Sequence, residues 1–169
     1  NQSPTGGDYY FAITTLNTAN LVWRTALNVS SNEADVYIRQ GSLPSVSSYS
    51  YGSAQLGSAG FVLSQGPQFA AGQNWYLVVH ATPGSKWNLV TGEAYVQQLP
   101  PLAADASSGA SVTMGAEGMH FFKTTITPNT LTWRLWLSGL PNQMYVKQTA
   151  APHPYNTSTY DLSQPGQML

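Results

Sequence analysis

A chain of 169 residues with six basic and seven acidic side chains, and only 8% charged residues, has no electrostatic footprint for nucleic acid or an acidic partner. The absence of cysteine removes disulfides, thiolate zinc sites and thiol catalysis together. Aromatic residues at 12% argue against disorder, and no apolar stretch approaches a membrane span.

Period-two alternation dominates from the start, and no stretch has a helical period. A first strand is expected over 8–16, followed by a turn at Asn17-Thr18-Ala19-Asn20. Over 21–29, Leu21, Trp23, Leu27 and Val29 share one face. Over 34–40, Val36 and Ile38 face one way while Asp35, Tyr37 and Arg39 face the other. A short strand follows at 60–64. Over 74–81, Trp75, Leu77, Val79 and Ala81 alternate with Tyr76, Val78 and His80; both faces are apolar enough for a central strand. Pro83-Gly84-Ser85 reads as a turn before a strand over 86–96. Six or more short strands joined by turn signals argue for an antiparallel sandwich.

The chain then repeats itself. Gly7-Asp8-Tyr9-Tyr10-Phe11 returns as Gly118-Met119-His120-Phe121-Phe122, and Leu21-Val22-Trp23-Arg24 as Leu131-Thr132-Trp133-Arg134. Tyr37-Ile38-Arg39-Gln40 returns as Tyr145-Val146-Lys147-Gln148, and Leu63-Ser64-Gln65 as Leu162-Ser163-Gln164. The spacing between copies shrinks in stretches rich in Ser, Gly or Pro, so loops shorten while the framework persists. Strands are expected over 119–126, 131–138 and 143–148 and near Leu162, with Trp133 equivalent to Trp23. The expected organisation is a complete module at 1–97, a Pro/Ala/Ser linker at 98–112 and an incomplete second module at 113–169 lacking its last strands. The second module is expected to be completed by a second chain or by a further segment. Beginning at Asn1, the chain is expected to be a piece of something longer.

The candidate chemistry is sparse. His80, His120 and His153 share no local spacing, and His80 is expected to pack or hydrogen-bond in its strand. No Gly-x-Ser-x-Gly elbow is present, and the seven carboxylates are scattered rather than paired. No catalytic residue, metal ligand or cofactor is expected. Calcium is the one weak case, through Glu33, Asp35 and nearby carbonyls; the alternative pairs Asp35 with Arg24 or Arg39 across strands. Outward aromatics offer more. Alternation places Arg134 and Trp136 opposite the core set, and Tyr145 and Lys147 outward on the next strand. A Trp and a Tyr flanked by cations form a flat platform for sugars or peptide groups, unless a loop, the linker or the other module covers Trp136. In the first module the corresponding positions are Arg24, Ala26, Tyr37 and Arg39, a thinner platform. Tyr49, Tyr51, Tyr155 and Tyr160 lie in loops, where they either form a binding patch or cap the sandwich ends.

The run Ala34-Asp35-Val36-Tyr37-Ile38-Arg39-Gln40-Gly41-Ser42-Leu43-Pro44, with Tyr49 and Tyr51 beyond it, resembles the signature of bacterial pre-peptidase C-terminal domains. Trp75-Tyr76-Leu77-Val78-Val79 is similar to that family's penultimate strand, and Trp87-Asn88-Leu89-Val90 to its closing one. The second copy departs from the pattern: Gln143 stands where the Asp would be, and no Gly follows Gln148. The resemblance implies two all-β, jelly-roll-like β-sandwich modules. It also implies a non-catalytic accessory pair of a secreted enzyme or surface protein, binding a polysaccharide or fibrous protein or positioning a neighbouring domain. The binding set expected is Trp136, Tyr145, Arg134, Lys147, Tyr37, Arg39, Tyr49 and Tyr51. The competing expectation is a purely structural repeat of a bacterial adhesin or surface layer.

Overall fold

A computed structural model describes residues 2–54, 56–66, 68–100, 120–126, 128, 135–136, 143–149, 151, 162–165 and 167–168. These form strands and turns, and no helix among them is long and apolar enough to cross a membrane. The chain divides into two compact units, Asn1–Glu93 and Ala94–Leu169.

The first unit is built from β1 (Gln2–Ser3), β2 (Gly7–Thr14), β3 (Leu21–Ser31), β4 (Ala34–Gln40), β5 (Tyr51–Ser53), β6 (Ala59–Ser64), β7 (Asn74–Ala81) and the first part of β8 (Ser85–Gln98). They make two antiparallel sheets. Sheet A runs β1-β8-β3-β6 and sheet B runs β2-β7-β4-β5. Apart from the β4–β5 pair, each strand is followed by one in the other sheet. The crossings use residues suited to sharp reversal. Asn20 (φ 61°) leads into β3, and Asn32 (φ 53°) turns the chain from β3 to β4. Asparagine tolerates this left-handed conformation because its short amide bonds locally; the Asn32 amide donates to the Pro83 carbonyl at 2.9 Å. There the β3–β4 and β7–β8 crossings meet: the Glu33 carbonyl accepts from the Thr82 backbone N–H at 2.9 Å and from the Ser85 hydroxyl at 2.6 Å.

Both sheets contribute to one core. Leu21, Trp23 and Leu27 from β3 meet Val36 and Ile38 from β4, and Trp75, Leu77, Val79 and Ala81 from β7. These are the alternating sets read from the sequence, and Val29 packs beside them. Trp23 is fully buried at the centre. Its ring meets Trp75 edge-on at 5.4 Å, and Phe61 and Phe69 each at 6.1 Å. Its indole N–H donates to the Thr91 hydroxyl at 2.9 Å, and Thr91 also bonds Thr25 at 2.9 Å. Without that acceptor the buried N–H would carry a desolvation cost. β7 is central in sheet B, as its two apolar faces imply.

The second unit departs from the repeat. Its described strands are β9 (Phe121–Lys123), β10 (Leu135–Trp136), β11 (Gln143–Val146), β12 (Leu162–Pro165) and β13 (Gln167–Met168). β9 pairs in parallel with the end of β8, Val96 opposite Phe121, where its counterpart β2 pairs antiparallel with β7. β11 pairs with β12, although their counterparts β4 and β6 lie in different sheets. β10 pairs with β13. The expectation of a second antiparallel copy is corrected to this extent. Strands whose counterparts pair with β7 and β8 in the first copy meet other partners here. Trp133 and the linker core at 101–112 lie outside the described residues.

Candidate functional site

The outer face of sheet B gathers polar and aromatic side chains in rows set by strand register. Asp8, His80 and Asp35 lie in one row across β2, β7 and β4. Tyr10, Val78, Tyr37 and Gly52 form the next, and Ala12, Tyr76 and Arg39 the one after. The local sequence explains the arrangement. Val36 and Ile38 point into the core, so Asp35, Tyr37 and Arg39 must point out; Tyr9 and Ile13 do the same for Asp8 and Tyr10.

His80 stands between Asp8 and Asp35 in the row and is held by the first. Its Nδ1 lies 2.6 Å from Asp8 Oδ1, and both side chains are about two-fifths exposed. The Tyr10 hydroxyl donates to Asp8 Oδ2 and the Tyr37 hydroxyl to Asp35 Oδ2, each at 3.3 Å. Asp35 Oδ1 is shielded from solvent and has no protein donor. Burial therefore pushes the Asp35 carboxyl above the usual carboxylate range. Glu33 adds to the rise, while the Tyr37 hydroxyl and His80 oppose it. The Tyr37 phenol is pushed up to about 12, first by burial and then by the Asp35 carboxylate. Asp35 pairs with neither Arg24 nor Arg39, which corrects the cross-strand expectation: Arg39 donates instead to the Ser48 hydroxyl at 2.8 Å, because the loop after β4 folds back over it.

Tyrosines form the flat part of the face. The Tyr37 and Tyr49 rings lie 4.9 Å apart, tilted by 46°. Tyr37 is buried and acts as a floor, while Tyr49 and Tyr10 are each nearly half exposed. Gly52 makes room for this: a Cβ there would sit 2.6 Å from the Tyr37 ring and 3.0 Å from the Tyr49 ring.

The expected site residues divide. Tyr37, Arg39 and Tyr49 come together on this face. Tyr51 goes to the other side; it packs on the core near Trp75, and its hydroxyl donates to the Gln68 carbonyl at 3.1 Å. Ala26, expected outward, is buried. In the second unit, Trp136 on β10 is opposite Gln167 and Tyr145 on the next strand, β11, is opposite Ser163. Tyr145 and Lys147 are half-buried. Arg134, Tyr155 and Tyr160 lie outside the described residues. Sequence reasoning left Tyr10, Tyr76, Asp8 and His80 out of the binding set. Alternation places Asp8 and Tyr10 together, but only the β2-β7-β4 order brings them beside Tyr37.

No group of three or more His, Asp or Glu suited to a metal ion occurs among the described residues. The face offers stacking surfaces, one guanidinium and a carboxylate–imidazole row. Family models, curated proteins and solved structures were all compared with the chain, and none matches it.

Proposed function

We propose that the chain is a non-catalytic accessory module pair of a secreted enzyme or surface protein, and that the first unit binds an extracellular polymer through the outer face of sheet B. The observation that carries this is the half-exposed Tyr10 and Tyr49 beside the buried Tyr37 floor, with Arg39 and the Asp8–His80 pair at its margins. Exposed aromatic rings flanked by hydrogen-bonding groups suit sugar rings or the flat side chains of a fibrous protein. Eight strands on two four-stranded paths, alternating between them except from β4 to β5, support a double-sheet jelly roll. That fold and the Asp35–Pro44 signature together support kinship with bacterial pre-peptidase C-terminal domains.

The test is retention on insoluble polysaccharides and on collagen. Tyr10 and Tyr49 are solvent-facing, so the double variant Tyr10→Ala, Tyr49→Ala is expected to stay folded. Losing two stacking rings should weaken retention about tenfold. A wild-type chain that none of these polymers retains, or a variant retained at full strength, sinks the reading and favours the purely structural repeat.

A further inference from the structure

Strand β2 is an edge of sheet B that nothing in its own sheet protects. Among the described residues it pairs with β7 alone, and alternate backbone N–H and C=O groups on its other side have no ladder partner there. The other outer strands of the first unit differ: β1 has two residues, β5 has three, and β6 is buried from Ala59 to Leu63. β2 runs for eight residues, most of them exposed. Edges are ordinarily blunted by lysine, proline, a bulge or shortness. The segment Gly7-Asp8-Tyr9-Tyr10-Phe11-Ala12-Ile13-Thr14 has no Lys, Arg or Pro, and its single charge, Asp8, is already engaged by His80. Large rings stand on both sides of it. Tyr10 is 47% exposed on the outer face, and Phe11, on the side shared by Tyr9 and Ile13, is 37% exposed although it faces the core layer.

We propose that β2 pairs antiparallel with β2 of a second copy of this chain, about a two-fold axis at Phe11. The strand is complementary to itself in that register. Phe11 meets Phe11 of the second copy, an aromatic cross-strand pair. Tyr10 lies opposite the small Ala12, and Tyr9 opposite Ile13. Asp8 lies opposite the Thr14 hydroxyl, so no carboxylate faces a carboxylate. Every pair stays on its own face, because a two-fold axis perpendicular to the sheet preserves the alternation. The two copies of sheet B become one eight-stranded sheet, and their tyrosine faces lie side by side. This pairing does not depend on what those faces bind.

The experiment is sedimentation of the full chain across a dilution series, using wild type, Phe11→Lys, Phe11→Glu and a mixture of the two variants. The wild type is expected to form a concentration-dependent dimer. Each variant alone places like charges opposite one another and loses the Phe pair, which should raise the dimer Kd at least about tenfold. Mixing them sets Lys against Glu and should restore the dimer. A second measurement needs no variant: amide hydrogen exchange along β2 should slow as wild-type concentration rises. A wild type that stays monomeric, variants that dimerise alone, a mixture that stays monomeric, or β2 exchange independent of concentration each overturns the proposal.

Discussion

At the scale of single residues, Asp35 shows how the outer face is tuned. Its carboxyl is partly buried, accepts one phenolic hydrogen bond and lies near Glu33. Its folded pKa is therefore above the ordinary value of 3.8. Between those two values the folded chain holds more protons than the unfolded one. Stability from this group is therefore complete below the ordinary value and falls as pH rises through the folded one. Asp35→Asn has no such proton to lose. The stability of the variant relative to wild type is expected to improve as pH rises above the ordinary value of 3.8 and through the folded one, read as urea midpoints at each pH. A difference that stays constant across that range would show that Asp35 titrates normally. The alternation around Val36 and Ile38 made the outward position of Asp35 legible in the sequence. Its partner was not legible, because Arg39 and Tyr37 are both two or more residues away on the same strand and only the fold of the 41–50 loop decides which one reaches what.

At the scale of elements, β4 and β5 show how one glycine sets a surface. The Tyr37 ring lies over Gly52, and Tyr49 closes against both. Gly52→Ala would put a methyl group inside the space both rings occupy. Tyr37 is buried and cannot swing clear freely, so a loss of about 1–3 kcal/mol is expected. The tyrosine face should be disturbed with it, seen as a lower melting temperature and an altered near-ultraviolet circular dichroism spectrum. An unchanged spectrum and melting temperature would mean that the rings do not rest on this glycine. The long strands β2, β3, β4, β7 and β8 were legible because sustained alternation leaves one assignment. β5 was not: Tyr51-Gly52-Ser53 is three residues with a glycine at its centre, and its pairing with β4 comes from the loop that returns it there. The strands of the second unit were visible as repeats, but their partners were not, because a repeat preserves side-chain pattern without specifying the neighbouring edge.

At the scale of the whole first unit, two sheets depend on one aromatic centre. Trp23 from sheet A meets Trp75 from sheet B and also Phe61 and Phe69, with its N–H satisfied by Thr91. Trp23→Ala removes a fully buried tryptophan at the junction of the sheets and is expected to cost about 3–5 kcal/mol. The loss should appear as a single large shift in the denaturant midpoint of the first unit, followed by tyrosine signals from sheet B. Loss of sheet A signals alone, with sheet B intact, would refute a shared core.

The sequence by itself determined the all-β class, the main strands of the first unit and which face of each goes inside, since burying apolar side chains on a pleated strand admits one orientation at a time. It determined the repeat as a pattern of residues. Only the tertiary structure decided strand order, and with it the functional geometry. Asp8 and Tyr10 belong to a strand far in sequence from Tyr37, and they become its neighbours because β7 inserts between β2 and β4. Tyr51 and Tyr49 are two residues apart and go to opposite sides, one to the core and one to the outer face. The physical reason is the same in both cases. Alternation is a local property of the chain, while adjacency across a sheet depends on which distant backbone groups satisfy one another's hydrogen bonds.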